Sequence, residues 1–83
     1  MKLLYFAWVR QKIGSSEEDI AAPSSVTTVA ALVEFLRKGG AGYEAAFADV
    51  KLLRVAVNQV HAGFDARIGP NDEIAFFPPV TGG

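Results

Sequence analysis

The first hydrophobic block of the chain, from Lys2 to Val9, predicts a strand. It is almost wholly apolar, includes three aromatic side chains, and is followed by the polar run Arg10-Gln11-Lys12. The alternation of a strand divides it between two faces, one with Leu3, Tyr5 and Ala7 and the other with Leu4, Phe6 and Trp8. A small domain covers only one face of a sheet from within. The other face is therefore a candidate partner surface. The alternatives are a strand buried on both sides and an ordinary surface with scattered apolar residues.

The middle of the chain predicts a short second strand and then the main helix. Ile13-Gly14-Ser15-Ser16 forms a turn, after which residues 17–21 pair back on the first strand. Thr28 supplies an N-cap oxygen, and an apolar stripe at helical spacing extends from it to Gly39-Gly40. The stripe consists of Val29, Leu32, Val33 and Leu36.

The second half of the chain predicts one or two further helical turns and three more strands. The helical turns fall within residues 41–49, and the strands are expected at 52–57, 60–62 and 73–77. Turns are predicted at Asn58-Gln59 and within residues 69–72, and Pro78-Pro79 ends the last strand. The order β-β-α-β-β-β indicates an α+β fold, with a mixed sheet packed on one main helix.

The composition fits one folded domain and narrows the possible functions. The 83 residues are 51% hydrophobic and 20% charged, with a net charge of −1, so no positive field favours binding to nucleic acid. Cysteine is absent and histidine occurs once, which excludes a cysteine nucleophile and gives no basis for a metal site. The sequence has neither a signal peptide nor an apolar run of membrane-spanning length. We therefore expect a cytoplasmic protein that does not bind membranes.

Catalysis by side chains has little support. The segment Gly39-Gly40-Ala41-Gly42 closes a helix and is not followed by Gly-Lys-Ser/Thr, so it is not a phosphate loop. Asp72 and Glu73 are adjacent, and on a strand their carboxylates would point to opposite faces instead of converging on one substrate. The single histidine, His61, receives no functional assignment. The chain is not expected to be catalytic alone.

The C-terminus offers a different kind of chemistry. The prolines Pro78 and Pro79 have fixed φ and no N–H donor, so they end the sheet and lead into an extended segment. Gly82 and Gly83 have no Cβ and can enter a channel too narrow for other residues. The functional group with the clearest steric access is the terminal carboxylate. We predict a domain over residues 1–77 and an extended tail over residues 78–83.

The block from Asp72 to Gly83, with Phe76-Phe77-Pro78-Pro79-Val80-Thr81-Gly82-Gly83 at its end, resembles the small, sulfur-carrier subunits of molybdopterin synthase. Weaker likeness is found in residues 3–10, 28–36 and 55–58. That family has the ubiquitin-like β-grasp fold, which implies the element order predicted above. The chain departs from the family pattern in its glycine-rich connector at residues 39–42 and in His61, where the family is more often apolar. Neither departure lies in the tail.

The resemblance implies a chemistry of the last glycine. An activating enzyme would use ATP to adenylate the carboxylate of Gly83, and a persulfide donor would convert it to a thiocarboxylate. The tail, including Gly82, would then enter the large subunit and give its sulfur to a cyclic pyranopterin precursor, forming the dithiolene that binds molybdenum. The carrier itself would hold no cofactor and no metal. The family also suggests a heterotetramer of two small and two large subunits.

The same resemblance implies which residues contact the large subunit. If Ile74 and Phe76 point to the core, Phe77 points outward and provides an exposed anchor just before the tail. Phe6, on the predicted first strand, is its expected companion, and the resemblance adds Arg10 to the same surface. The tail residues Pro78, Pro79, Val80 and Thr81 are expected to bind the partner as well.

Other members of the same structural class remain alternatives. Sulfur carriers for thiamine thiazole formation or transfer-RNA thiolation share the glycine pair, but they generally lack the Phe-Phe-Pro-Pro-Val lead-in. Protein modifiers of the ubiquitin kind typically have an arginine just before the glycines, where this chain has Thr81. A non-catalytic interaction domain with an inert terminus is the alternative from a different functional class.

Overall fold

A computed structural model describes residues 1–79 and contains a mixed sheet of five strands in the order β2-β1-β5-β3-β4. The central pair, β1 and β5, is parallel, and the other neighbours are antiparallel. The predicted α+β fold is confirmed. The strands are β1 (Lys2–Tyr5), β2 (Glu17–Asp19), β3 (Arg54–Val57), β4 (Val60–Ala62) and β5 (Glu73–Phe77), and the helices are α1 (Ala7–Ile13), α2 (Val29–Arg37), α3 (Ala41–Ala46) and a 3-10 turn (Val50–Leu52).

One face of the sheet packs on the helices and forms the core. Side chains at alternate positions of the three central strands point to this face and are almost fully buried, as are those of the apolar stripe on α2. The strand residues are Leu3, Tyr5, Val55, Ile74 and Phe76. Thr28 caps α2 as predicted, with its hydroxyl oxygen accepting a hydrogen bond from the backbone N–H of Ala31 at 3.1 Å. The helix prediction from the stripe is confirmed.

The prediction of one strand from Lys2 to Val9 is wrong in its second half. β1 ends at Tyr5, and Ala7 has a φ of 54°, a left-handed conformation that turns the chain out of the sheet. The helix α1 then extends to Ile13 and is closed by Gly14, whose φ is 88°. Val9 is buried against the core, so the apolar residues after Tyr5 pack as part of a helix. The predicted β-β-α start is therefore β-α-β-α.

A carboxylate shared by two tyrosines fastens the edge strand β2 to the helical layer. Glu18 Oε1 accepts hydrogen bonds from the hydroxyls of Tyr5, at 2.8 Å, and Tyr43, at 2.6 Å. Burial, followed by the hydrogen bond to Glu18, raises the pKa of Tyr5. The hydrogen bond to Glu18 is the main cause that raises the pKa of Tyr43 to about 12. Both hydroxyls therefore stay protonated at neutral pH and remain donors.

The remaining boundaries differ only slightly from the sequence prediction. β3 begins at Arg54 instead of Leu52, because residues 50–52 form a 3-10 turn that is capped by the carboxylate of Asp49. Asn58 and Gln59 form the predicted turn into β4, and both have positive φ, which suits a tight hairpin. No helix within residues 1–79 is long and apolar enough to cross a membrane.

Candidate functional site

The central strand β5 connects the core to the predicted tail. It lies between β1 and β3, and it ends at Phe77, with Pro78 and Pro79 following as half-buried residues. The backbone N–H of Phe6 donates to the carbonyl oxygen of Phe76 at 3.1 Å, which holds the end of β1 beside the end of β5. The base of the tail is therefore attached to a strand that is paired along both of its edges. The predicted tail residues Val80, Thr81, Gly82 and Gly83 lie outside the described residues.

Phe76 and Phe77 point to opposite sides of the sheet, as predicted. Phe76 is fully buried, and its ring packs edge-on against Phe47 with centroids 5.0 Å apart. Phe77 points to the face that the helices leave open, but it is half-buried instead of exposed. The ring of His61 lies beside it, with the two ring centroids 5.4 Å apart. The expected anchor is correctly oriented but presents less free surface than predicted.

Phe6 is not on the first strand, which corrects the prediction, but it is strongly exposed. It occupies the N-cap position of α1 in extended conformation, and 49% of its surface is accessible. Arg10 is also exposed and follows Phe6 by one helical turn, so both lie on a similar side of α1. The left-handed Ala7 is what lifts the chain out of the sheet directly after Phe6. Phe6 and Arg10 therefore lie near the base of the tail, but the start of a helix holds them there instead of the predicted strand.

The open face of the sheet is apolar at its centre. Strand register aligns one row of neighbours across it: Glu17, Leu4, Ala75, Ala56 and His61. Ala56 and Ala75 are buried, yet they are not part of the core cluster on the helix side, because they belong to this opposite face. Sequence reasoning did not identify the row. The signal was the alanine between two larger core residues in each strand, Val55-Ala56-Val57 and Ile74-Ala75-Phe76.

Asp72, Asn58 and Gly69 form a polar turn at the other end of β5. The Asp72 carboxylate accepts hydrogen bonds from the backbone N–H of Gly69 at 2.7 Å and from Asn58 Nδ2 at 3.0 Å. The hydrogen bond from Asn58 is the main cause that lowers the pKa of Asp72, and the Gly69 N–H adds to it. Both carboxylate oxygens are thus occupied in holding a turn. This agrees with the turn predicted within residues 69–72.

Comparison with known proteins finds relatives that match almost the whole length of the chain. Residues 3–83 match the family model described as the ThiS family. The chain is 42% identical to the molybdopterin synthase sulfur carrier subunit of Escherichia coli, covering 100% of this chain and 99% of that protein. A solved structure of a putative molybdopterin converting factor subunit 1 from Pyrococcus furiosus is 30% identical, with a TM-score of 0.76 over 95% of each chain.

A further structural match concerns the fold alone. The small archaeal modifier protein 1 of H. volcanii has a TM-score of 0.78 to this chain at 22% identity, covering 96% of this chain and 97% of that one. The predicted β-grasp fold is therefore shared by proteins with different names, and it does not by itself select a function. The full-length identities are more specific. The match to the family model over residues 3–83 shows that the chain belongs to the ThiS family, and the 42% identity over the full length confirms its likeness to the sulfur-carrier subunits of molybdopterin synthase.

Proposed function

We propose that this chain is the sulfur-carrier subunit of a molybdopterin synthase and acts in the biosynthesis of the molybdenum cofactor. The observation that supports this most directly is the 42% identity over the full length of the E. coli sulfur carrier subunit. The geometry agrees with such a role. A rigid five-stranded body holds the base of the tail at the end of its central strand, beside exposed apolar side chains.

The terminal carboxylate of Gly83 is the reactive group in this proposal. A carboxylate is a poor electrophile, so an activating enzyme first joins it to the AMP portion of ATP, and pyrophosphate leaves. The outer sulfur of a persulfide donor then attacks the same carbonyl carbon and displaces AMP, which gives an acyl disulfide. A second thiol cleaves its S–S bond, forms a disulfide with the donor, and leaves the thiocarboxylate on Gly83. Gly82 and Gly83 would pass through a narrow channel of the large subunit, where the thiocarboxylate sulfur is transferred to the pyranopterin precursor.

The catalytic side chains would belong to the partners. This chain would supply a docking surface and one sulfur per cycle, and it would need no metal or cofactor of its own. A dithiolene contains two sulfurs, so each precursor would need two loaded carriers in succession. The heterotetramer of two small and two large subunits remains a prediction. The cytoplasmic location remains a prediction.

Intact-mass spectrometry tests the carrier role directly. The purified chain is incubated with the activating enzyme, ATP and a persulfide donor, and we expect a mass increase equal to the exchange of one oxygen for sulfur. A chain lacking Gly83 is the control and should not be converted. The same activating enzyme is also tested on the carrier protein with which it normally works. If that carrier gains sulfur and the full-length chain does not, the proposed function is wrong.

A further inference from the structure

Arg54 lies directly opposite the last strand residue before the tail. In the antiparallel β3–β5 ladder it pairs with Phe77, and Pro78 follows Phe77 in the chain. Opposite residues of neighbouring strands point to the same face of a sheet, so the side chains of Arg54 and Phe77 share the open face. Arg54 is also exposed. The predicted docking surface does not include it, although it adjoins the expected anchor.

One hydrogen bond within residues 1–79 holds the guanidinium of Arg54. Its Nη1 donates to the carbonyl oxygen of Leu53 at 3.0 Å, which keeps the group at the start of β3, next to the end of β5. A guanidinium carries five N–H donors in a planar fork, so most of those of Arg54 remain for a further acceptor. The side chain is therefore placed at the tail end with its donors largely unused.

The cations of the chain differ in whether a carboxylate neutralises them. The guanidinium of Arg37 lies 3.0 Å from the carboxylate of Glu44 and 3.2 Å from that of Glu34. In contrast, no carboxylate among residues 1–79 lies within ion-pair distance of Arg54 or Arg10. Both charges are therefore open to an acidic group of another molecule.

Arg10 and Arg54 lie on opposite sides of the tail base. On the β1 side, the N–H of Phe6 donates to the carbonyl oxygen of Phe76, and the N–H of Arg10 donates to the carbonyl oxygen of Phe6 at 3.5 Å. Arg54 lies on the β3 side of the same strand. A positive charge on each side favours a partner with carboxylates on its facing surface, because complementary charges speed the encounter and fix the orientation.

We propose that Arg54 belongs to the docking surface for the large subunit and pairs there with a carboxylate of that subunit. The proposal rests on the proposed function, in which the large subunit receives the tail and must therefore contact its base. The planar fork of a guanidinium can bind both oxygens of one carboxylate. This pair would fix the large subunit on the β3 side of the tail, opposite the contacts of Phe6 and Arg10 on the β1 side.

Association rates of Arg54→Glu with the purified large subunit test this pairing. We expect the rate constant from stopped-flow fluorescence to fall about 5- to 10-fold at low ionic strength, since the reversed charge repels an acidic surface. The difference should shrink to less than about twofold at about 0.5 M salt, which screens exposed charges. Arg54→Gln removes the charge without reversing it and should give an intermediate loss. Arg54→Lys should associate as fast as the parent but dissociate faster, because an ammonium lacks the planar fork.

Lys38→Glu is the matched control, because it changes the net charge by the same amount. Lys38 is exposed at the end of α2 and lines a groove with Ile20. The N–H of Ile20 donates to the carbonyl oxygen of Met1, just before the start of β1, which lies away from the tail because β1 and β5 are parallel. The association rate of Lys38→Glu should stay within about twofold of the parent. Thermal melts establish that all four variants are folded.

The outcomes separate the role of Arg54 from the carrier role. If Arg54→Glu and Arg54→Gln associate as fast as the parent at low salt, the Arg54 proposal is wrong and the carrier role stands. An equal loss in Lys38→Glu would reflect net charge alone and also overturns it. If Arg54→Glu binds the large subunit normally but is thiocarboxylated slowly, the charge serves the activating enzyme and the proposal is likewise overturned. If the parent chain neither gains sulfur nor binds the large subunit, the proposed function itself fails.

Discussion

The two ends of β5 have opposite chemistry. At its beginning, the side-chain carbonyl oxygen of Asn58 accepts from the backbone N–H of Glu73 at 3.0 Å, and the backbone N–H of Asn58 donates to the carbonyl oxygen of Glu73 at 2.8 Å. The Asp72 carboxylate adds two further hydrogen bonds. At its end, Phe77 lies beside the ring of His61 and is followed by two prolines, which have no N–H to donate.

This difference separates stability from binding along a single strand of five residues. Hydrogen bonds within the polar turn satisfy its donors and acceptors, so that end has little left to offer a partner. Apolar side chains exposed at the other end gain from being covered. Substitutions at the two ends should therefore change different measured quantities.

Deleting Gly83 should give the largest difference between the effect on activity and the effect on stability. We expect sulfur transfer to the precursor to disappear, because the deletion removes the residue whose carboxylate is adenylated in the proposed function. The melting temperature should not change, since the described core residues lie between Leu3 and Phe76. Activity assays and calorimetric melts on the same preparations check both statements. Transfer that persists in the deletion, or a lowered melting temperature, would contradict this separation.

Adjacent phenylalanines at the tail end should differ strongly in their effect on folding. Phe76→Ala removes a fully buried ring and should reduce the free energy of unfolding by about 3–5 kcal/mol. Phe77→Ala removes a half-buried ring from the open face and should cost only about 1 kcal/mol. Denaturant titrations measure both, and Phe76→Leu serves if the alanine variant does not fold. Equal losses would mean that the open face is part of the core.

Phe77→Asp should weaken binding to the large subunit while leaving the domain folded. Loss of a central aromatic contact corresponds to about 10- to 100-fold in affinity, or about 1.4–2.8 kcal/mol. Val60→Asp is the control, because Val60 is 67% exposed and follows the hairpin turn that is bonded to the polar end of β5. Unchanged affinity in Phe77→Asp, or an equal loss in Val60→Asp, would remove the distinction between the two ends.

Asp72→Ala should have the smallest effect, confined to stability and dependent on pH. The pKa of Asp72 is lowered in the folded state, so its contribution is present above the unfolded value of about 3.9 and is lost as the pH falls through the folded value. The variant should melt below the parent at pH 7, and the gap should close in strong acid. Melting temperatures across this range test the sign, and a gap that widens in acid would reverse it. Docking should be unaffected.

Elements set by local spacing were predictable from the sequence. The stripe and Thr28 specified α2, and the alternation of Ile74 and Phe76 specified the core face of β5. α1 was missed because its apolar residues continue those of β1 without a change in composition, and because an alanine at positive φ has no sequence signature. The signal that could have revealed it was Gly14 after the basic residues Arg10 and Lys12, a pattern typical of a helix C-terminus.

The candidate site also has one part that the sequence predicted and another that it did not. The tail was found from sequence because its chemistry depends on consecutive residues at the end of the chain. The open-face row of Leu4, Ala75, Ala56 and His61 was not, since these residues become neighbours only when four strands pair. The contact between the rings of Phe77 and His61 likewise depends on two strands that meet through β3.

The place of β5 at the centre of the sheet has a consequence for folding. During synthesis β1 is made first and its parallel neighbour β5 last, so the two halves of the sheet stay apart until nearly the whole chain is available. Pairing between such distant segments is slow to form and completes the core in one late step. A chain truncated before β5 would keep its apolar strands unpaired and prone to aggregation. Any folded copy that meets a partner therefore already contains the strand to which the tail is attached.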